Sequence, residues 1–279
     1  MNTLFICPVC SSALDMKEKT YKCEQGHSFD ISREGYVNLL PANRKKSKSP
    51  GDTKEMLEAR SSFLSKNYYD FLTVTMVDHI NKIATNRQRL TLLDSGCGDG
   101  HFICSIYNQL KKNLTLEIDA TGTDISKPAL KIAARESKNI NWGVASSFRL
   151  PIRDNSVDIL IRMFAPGDNA EVVRVLKADG HLITVTPGPM HLFGLKEVVY
   201  NSPRPHNRPK PALEQMIEIN EVNVKETINI TDNTDLKNLL TMTPYYWNGD
   251  REVKEKFDLL TELTTQVDFI ITIYKKINL

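Results

Sequence analysis

Two hydrophobic periods alternate along the middle of the chain, and together they predict a fold of alternating strands and helices. Short apolar runs bounded by turn residues predict strands, whereas apolar residues spaced three and four apart predict helices. The predicted strands are residues 91–94, 116–123, 142–145, 157–162 and 180–186, and the predicted helices between most of them are residues 101–110, 127–136 and 169–176. This order predicts an α/β protein whose parallel sheet is covered by helices.

The segments on either side of this core show other patterns. Upstream, Asp52 and Glu55 have the spacing of a capping box, which places a helix start near Thr53, and a second helical pattern covers residues 71–83. Downstream, the four prolines of residues 201–212 predict a loop. The β-rich segments 224–230 and 266–276 predict a hairpin added at the sheet edge, with two short helical patterns between them.

The first 40 residues carry three of the five cysteines and a histidine in the spacing C-x2-C-x12-C-x3-H. Two close pairs of soft ligands can surround one zinc ion tetrahedrally, and a module of about 35 residues is too small to fold on apolar burial alone. In a reducing compartment, clustered cysteines are better explained by a metal than by disulfides. The predicted ligands of this structural zinc ion are Cys7, Cys10, Cys23 and His27. The other two cysteines, Cys97 and Cys104, are interpreted as small apolar residues.

Composition narrows the class of protein only slightly. The 36 basic and 34 acidic residues give a net charge of +2, which by itself does not indicate a nucleic-acid-binding protein. The N-terminus lacks the basic and apolar segments of a secretory signal, and no apolar run approaches the ~20 residues that cross a bilayer. We therefore expect a soluble cytoplasmic protein that does not act at a membrane.

A glycine-rich turn, "LLDSGCGDG" at residues 92–100, follows the first predicted strand of the core. Glycines at such a turn let backbone amides approach a ligand at a helix N-terminus. Asp124 falls at the end of the next strand, where a carboxylate can accept hydrogen bonds from ribose hydroxyls. The pattern favours a nucleoside ligand, and the next strand end can lie near its adenine ring. The predicted ligand-binding residues are Asp94, Gly96, Gly98, Gly100, Asp124, Ser146 and Leu150.

These residues carry a resemblance to a known family. The glycine turn with "GTDIS" and "VASSFRLP" resembles the class I S-adenosylmethionine-dependent methyltransferases. Together with the cysteine-rich module and the phrases "GHSFDISREGYVNLLP", "SPGDTKEMLEAR", "IRMFAP" and "TPGPMHL", the chain resembles the bacterial 23S ribosomal RNA (guanine-N1)-methyltransferases. The likeness covers most of the chain and is weakest after residue 205. Ser95 and "KADG" at residues 177–180 depart from the usual pattern without removing a ligand-contacting group.

The resemblance implies a fold, an activity and partners. The implied fold is a Rossmann-like, mostly parallel seven-stranded sheet with an antiparallel edge hairpin, preceded by a small zinc-ribbon module. The implied activity is methyl transfer from S-adenosylmethionine to N1 of a guanine in a 23S ribosomal RNA hairpin loop, by a homodimer. Gly96, Gly98 and Asp124 match cofactor contacts of the family, and the zinc ligands match one for one. The expected organisation is a zinc-binding module at 1–40 for RNA recognition, a basic linker with helices at 41–86 and the methyltransferase domain at 87–279.

The acceptor base poses a chemical problem, because guanine N1 is protonated at neutral pH and lies on the Watson–Crick edge. A nearby group should take that proton or stabilise charge on O6. The candidates lie in "IRMFAPGD" at residues 161–168. Phe164 can stack on guanine, Arg162 can bind O6 or a phosphate, and Asp168 can act as a base. Each has an alternative: Phe164 can pack at a core edge, Arg162 can pair with a carboxylate, and Asp168 can cap a helix.

Two local groups of bases are candidates for phosphate contacts, with solvated loops as the alternative explanation. They are Arg44, Lys45, Lys46 and Lys48 in the linker, and Arg204, His206, Arg208 and Lys210 in the proline-rich loop. Three aromatic residues of the zinc module can stack on unpaired bases or form its small core, namely Tyr21, Phe29 and Tyr36.

Three other functions are compatible with parts of this pattern. A methyltransferase of another RNA or of a small molecule would share the fold and cofactor motif, because neither names the acceptor. The zinc module and the basic loops argue against a small-molecule substrate. The intact glycine turn argues against a zinc-ribbon RNA-binding protein that has lost catalysis. The spacing of the glycines in this turn differs from the dinucleotide-binding motif and argues against an NAD-dependent oxidoreductase.

Overall fold

The computed structural model describes residues 3–44, 51–113, 116–207, 213–243, 245, 247, 252, 255–256 and 259–277 of the chain. The strands are β1 (Asp15–Lys17), β2 (Thr20–Lys22), β3 (Ser28–Asp30), β4 (Tyr36–Asn38), β5 (Arg89–Ser95), β6 (Glu117–Asp124), β7 (Asn141–Val144), β8 (Val157–Met163), β9 (Leu176–Pro187), β10 (Met216–Ile230) and β11 (Leu263–Lys276). The α-helices are α1 (Lys54–Leu64), α2 (Asp70–Ala84), α3 (His101–Asn113), α4 (Lys127–Glu136), α5 (Asn169–Val175), α6 (Phe193–Val199) and α7 (Asn233–Thr241). Within these described residues, no helix is both long and apolar enough to span a lipid bilayer.

An eight-stranded sheet in the order β10-β11-β9-β8-β5-β6-β7-β4 forms the centre of the fold. The strands from β4 to β9 pair in parallel, whereas β11 and β10 pair antiparallel and form the edge hairpin. The seven strands of residues 87–279 confirm the predicted mostly parallel sheet with its antiparallel edge. Apolar strands of 7 to 14 residues can be buried on both faces here because helices follow most of them.

The eighth strand, β4, comes from the first 40 residues and pairs with β7. The remaining strands of that segment, β1 to β3, form a separate three-stranded sheet. Phe5 packs against Gly143 of β7 so closely that a Cβ there would lie 2.8 Å from the Phe5 ring. The backbone N–H of Ile6 donates to the carbonyl of Pro151 at 2.9 Å. The N-terminal segment is therefore built into the edge of the large sheet.

Side chains of β8 alternate between two apolar clusters, one on each face of the sheet. Ile159, Ile161 and Met163 lie in the larger cluster, whereas Leu160 lies in the smaller one. This alternation follows from the pleat of a strand, in which successive side chains point to opposite faces. Arg162 therefore shares its face with Leu160.

Helix α1 begins as predicted, but with a different cap. The side chain of Thr53 accepts a hydrogen bond from the Met56 amide at 3.2 Å. Asp52 forms an ion pair with Arg60 instead, so the capping-box interpretation of Asp52 is wrong. Helix α6 follows β9 and was not predicted, because its N-cap residue, Leu192, has no capping side chain that would mark a helix start.

Candidate active site

The cysteine-rich module brings four metal-ligating side chains together. One ligand atom from each of Cys7, Cys10, Cys23 and His27 lies within 4.8 Å of the others. The Sγ atoms of Cys10 and Cys23 are 3.7 Å apart, and His27 Nδ1 is 3.6 Å from Cys7 Sγ and 3.3 Å from Cys23 Sγ. Tetrahedral zinc with Zn–S bonds of about 2.3 Å places its sulfur ligands about 3.8 Å apart. The spacing of these side chains therefore fits a closed four-ligand zinc site.

A cavity of about 830 Å³ lies at the carboxyl ends of the parallel strands. Its wall includes α1, the turn after β5 and the ends of β6, β8 and β9. Ligands of open α/β sheets bind at this edge, where the loops after the strands converge. One end of the cavity is lined with carboxylates and the other with aromatic rings, so it can accept a charged nucleoside and a flat base together.

The acidic end contains Asp94, the last residue but one of β5. Its carboxyl is buried, and Oδ1 has no hydrogen-bond partner among the described residues. Burial, together with the nearby carboxylate of Asp124, raises the pKa of Asp94 to about 8. Burial also raises the pKa of Asp99 and of Asp124. A cationic ligand would relieve this repulsion, so the site fits a molecule that carries positive charge.

Asp124 ends β6 and is held by two backbone donors. The Gly98 amide donates to Oδ2 at 2.9 Å and the Ser126 amide donates to Oδ1 at 2.7 Å. Each carboxylate oxygen keeps a free lone pair for a ligand hydroxyl. Asp124 therefore lies at the end of β6, as predicted, and its carboxylate contacts the glycine turn through Gly98.

The three glycines of the turn differ in what they do. All three have positive φ, at +86° for Gly96, +55° for Gly98 and +81° for Gly100. Residues other than glycine adopt such a φ only at a cost in conformational energy. Gly96 and Gly98 line the cavity. Gly100 does not, because a Cβ there would meet Ala133 and Trp142 at 2.8 Å. Gly100 therefore allows α4 and β7 to pack against the turn, and its contact with the ligand stays a prediction.

The segment after β7 is divided between two environments. Ser146 lines the cavity as predicted, together with Ser147 and Phe148. Leu150 is buried in the smaller apolar cluster and lines only a separate cavity of about 110 Å³ next to Cys7. Leu150 therefore lies away from the lining of the larger cavity, and its contact with an adenine ring stays a prediction.

Arg60 on α1 was not predicted and lies at the acidic end. It pairs with Asp52, and its Nη1 is 3.8 Å from where a Cβ on Gly98 would lie. Among the residues that the structure describes, Arg60 is the only Lys or Arg that lines the cavity. Four carboxylates line the same cavity, those of Asp52, Asp94, Asp99 and Asp124. A carboxylate group of a ligand would therefore find its only cationic partner at Arg60.

Phe164 lines the aromatic end and is 46% exposed. Its φ of +50° is unusual for a bulky residue, and such strain is found mainly where function requires it. The ring lies 5.5 Å from that of Phe269 and 6.4 Å from the imidazole of His191, measured between centroids. The predicted position of Phe164 at the acceptor site is compatible with this geometry.

The other two acceptor candidates lie elsewhere. Arg162 is buried on the opposite face of β8, where its guanidinium donates two hydrogen bonds of 3.1 Å to Asn169 Oδ1. Asp168 is exposed and caps α5, with its carboxylate accepting from the Ala170 amide at 2.8 Å. Neither lines the cavity. Asp168 therefore has the helix-capping role considered as its alternative, while the contact of Arg162 with guanine and the role of Asp168 as a base stay predictions.

His191 and two tyrosines complete the aromatic end, and sequence reasoning missed all three. Burial, with the nearby His206 and Lys196, lowers the pKa of His191 to about 3. Tyr69 is buried, and its hydroxyl has no hydrogen-bond partner among the described residues. Tyr245 lines the cavity, and burial raises its pKa to about 12. The phrase "TPGPMHL" contains His191, so the resemblance contained a signal that spacing alone did not give.

The predicted RNA-contacting residues are only partly described. His206 lines the cavity, and its Nε2 lies 3.1 Å from the carbonyl oxygen of His191. Arg204 is exposed. Lys45, Lys46, Lys48, Arg208 and Lys210 lie outside the described residues, as does the side chain of Arg44. In the zinc module Tyr21 is buried in the smaller apolar cluster and Phe29 packs against that cluster, which is the core role considered as their alternative. Tyr36 is buried in the larger cluster of the main sheet.

Family models match the segments that carry both sites, and two named relatives match most of the chain. Residues 5–48 match the family model described as RlmA, N-terminal, a zinc ribbon, and residues 93–184 match the model of a methyltransferase domain. A Bacillus subtilis protein named "Putative 23S rRNA (guanine-N(1)-)-methyltransferase YxjB" is 32% identical to this chain, and the match covers 96% of this chain and 96% of that protein. The 23S rRNA (guanine(748)-N(1))-methyltransferase of Streptomyces fradiae is also 32% identical to this chain, and the match covers 88% of this chain and 86% of that protein.

Proposed function

The chain belongs to the family of 23S rRNA (guanine-N1)-methyltransferases, and from this membership we propose that it transfers a methyl group from S-adenosylmethionine to N1 of a guanine in a hairpin loop of 23S ribosomal RNA. The observation that carries the proposal is the single cavity whose acidic end suits the cationic cofactor and whose aromatic end suits a flipped-out base. The relative from Streptomyces fradiae is named for guanine 748. A guanine in a comparable loop is the proposed target.

The residues of the acidic end fit the cofactor group by group. Asp124 would accept hydrogen bonds from the ribose hydroxyls, and Gly96 and Gly98 would allow the backbone to approach closely. The unpartnered oxygen of Asp94 suits the cationic part of the amino-acid tail, and Arg60 suits its carboxylate. Ser146 would lie on the adenine side.

Once bound, S-adenosylmethionine supplies a methyl group already activated by the sulfonium. The protein then has to align the acceptor nitrogen, exclude water and handle the N1 proton. Phe164 is the proposed stacking surface for the base, because it is exposed at the cavity and held in a strained conformation. Tyr69, Phe269 and His191 wall the space behind it.

We propose that the zinc module helps to bind the RNA hairpin, and that Cys7, Cys10, Cys23 and His27 hold its structural zinc ion. The module packs beside the loop that carries Ser146 and Leu150, as the small cavity between them shows. An RNA bound to the module would therefore lie near the mouth of the larger cavity. We retain residues 1–40, 41–86 and 87–279 as the functional divisions, although β4 belongs to the large sheet.

Two further parts of the proposal follow from the family and the substrate. A homodimer is proposed from the family resemblance, and a cytoplasmic location is proposed because ribosomal RNA is found there. Size-exclusion chromatography with light scattering tests the dimer directly, since a monomer mass at micromolar concentration would refute it.

The proposed reaction is tested by primer extension. Zinc-loaded protein is incubated with S-adenosylmethionine and ribosomal RNA that lacks the modification, because an N1-methyl group blocks Watson–Crick pairing and stops reverse transcriptase. One new stop at a guanine of a single hairpin loop is expected, and it should disappear when S-adenosylmethionine is replaced by S-adenosylhomocysteine. No stop, although calorimetry shows cofactor binding, would refute ribosomal RNA as the substrate.

A further inference from the structure

One loop of the methyltransferase domain adjoins both the cofactor cavity and the zinc module. Ser146, in the loop after β7, lines the larger cavity and also the cavity of about 110 Å³. The wall of that smaller cavity includes the zinc ligand Cys7. The residue before Ser146, Ala145, donates its amide to the carbonyl of Asp124 at 2.9 Å, so the loop starts beside the proposed ribose site. The loop is therefore part of the cofactor cavity and a neighbour of the zinc site.

Backbone hydrogen bonds fix the N-terminal segment to both ends of this loop, residues 145–151. Just before the loop, the Leu39 amide donates to the carbonyl of Val144 at 3.0 Å. At its far end, the Ile6 amide donates to the carbonyl of Pro151 at 2.9 Å. Ile6 directly precedes the first zinc ligand, so the second hydrogen bond depends on how the first cysteine turn is folded.

The ring of Phe5 fills the space between the zinc module and β7. It is buried and lies edge-on to the ring of Tyr21 in β2, with the centroids 5.9 Å apart. Gly143 of β7 leaves room for it, because a Cβ there would lie 2.8 Å from the ring. Phe5 belongs to the same buried cluster as the zinc ligands Cys7 and Cys23. Since protein interiors are close-packed, a shift of the cysteine turns would move Phe5 against β7.

Zinc should control the order of this support. A module of about 35 residues buries too little apolar surface to fold alone, and its metal-binding free energy is also folding free energy. Without the metal, the cysteine turns would no longer hold Ile6 and Phe5 in place. The loop of Ser146 would then lose one of its supports, and the cofactor would have to order it at a cost in conformational entropy.

We propose that Phe5 is a positioning residue that holds the loop of Ser146 against the cofactor cavity, so that zinc binding and cofactor binding are coupled. This role goes beyond the proposed contact of the module with RNA and requires no RNA. Coupling between two binding sites is reciprocal, so each ligand tightens the binding of the other by the same factor. Such couplings are commonly about 5- to 150-fold, and we expect about tenfold because the module adjoins only the adenine side of the cavity.

The test measures both affinities on the full chain with S-adenosylhomocysteine, the stable product that shares the adenosine of the cofactor. Calorimetry gives its Kd for zinc-loaded protein and for protein stripped of zinc, at a temperature below both unfolding transitions. We expect removal of zinc to raise this Kd about tenfold. In the reverse experiment, a chromogenic chelator competes for zinc. Saturating S-adenosylhomocysteine should tighten zinc binding by the same factor.

Substitutions then separate the path through Phe5 from the stability of the module. Zinc-loaded Phe5→Ala should bind S-adenosylhomocysteine as weakly as zinc-free wild type, and Phe5→Leu should recover part of the affinity. A merely structural role of Phe5 would lower the Tm but leave the coupling factor unchanged. Phe29→Ala is the matched control, because Phe29 packs against the same apolar cluster from β3 of the separate three-stranded sheet. It should keep the wild-type coupling.

Three outcomes would overturn the inference. A wild-type Kd that changes less than about twofold on zinc removal would show that the two sites are independent. Wild-type coupling in Phe5→Ala would show that Phe5 does not carry it. An equal loss of coupling in Phe29→Ala would show that any damage to the module has this effect. If Phe5→Ala fails to fold, the comparison of Phe5→Leu with Phe29→Leu decides in the same way.

Discussion

Removing the Arg60 guanidinium should weaken cofactor binding through one group of the cofactor only, the carboxylate of its amino-acid tail. Arg60 is the only Lys or Arg among the described residues of the cavity wall, and four carboxylates share that wall. An anionic group in such a site is repelled unless a cation compensates it. Arg60→Met keeps the aliphatic stem and removes the charge.

The expected magnitude follows from the exposure and pairing of Arg60. A hydrogen bond between charged groups contributes about 1.5–3 kcal/mol. The Arg60 side chain is 28% exposed and already paired with Asp52, so solvent screening and the competing carboxylate reduce that value. We expect about 1–2 kcal/mol, which corresponds to a rise in Kd of about 5- to 30-fold.

The assay is calorimetric binding of two ligands to two proteins. S-adenosylmethionine and its decarboxylated analogue share the sulfonium and the ammonium but differ in the carboxylate. Arg60→Met should weaken binding of the first ligand and leave the second unchanged or slightly tighter. Lys54→Met is the matched control, because Lys54 lies on the same helix with 84% of its side chain exposed. An equal effect of Arg60→Met on both ligands would refute the assignment and show that Arg60 only supports α1.

Further predictions concern the cofactor, the zinc ion, the turn and the base. Burial raises the pKa of Asp94 to about 8, so binding of the cationic cofactor should release a proton from this carboxyl. The affinity for the cofactor, measured by calorimetry, should rise about tenfold between about pH 6 and about pH 7.5. In Asp94→Asn the affinity should not change with pH in this way. Chelating zinc should lower the Tm, because metal binding supplies folding free energy. Cys10→Ser should lower the Tm to a similar extent without chelator. An unchanged Tm, measured by fluorimetry, would contradict a structural zinc ion. Gly100→Ala should lower the free energy of unfolding in urea by about 3 kcal/mol, since it combines a positive φ with a close approach to Trp142; a loss below about 1 kcal/mol would show that the turn adjusts. Phe164→Ala should raise KM for RNA about tenfold at unchanged cofactor affinity, as expected for a lost base-stacking contact; a change in cofactor Kd alone would contradict stacking on the base.

Local sequence features predicted most of the fold because they act locally. Helix α4 begins at Lys127 and ends at Glu136 as predicted, since Ser126 caps it and Pro128 suits its first turn. The zinc ligands were found because their spacing sets the geometry of two short turns. Asp124 was placed correctly because strand ends of a parallel sheet converge at one edge.

Other positions depended on how distant segments meet. The strand β4 joins the large sheet through Tyr36 and Val37, which pair with β7 more than 100 residues later, and no local pattern contains that register. Arg60 reaches the glycine turn only because α1 packs over it.

The alternation of strands and helices, the metal-binding turns and the glycine turn could be predicted because each depends on residues that are close along the chain. Which side chains enter the cavity depends on how the strands and helices pack together. Arg162 and Phe164 are two residues apart, yet the pleat of β8 sends the first to the opposite face while a positive φ beyond the strand turns the second to the cavity. His191 also lines the cavity, because β9, which precedes it, ends at the same edge of the sheet as β8.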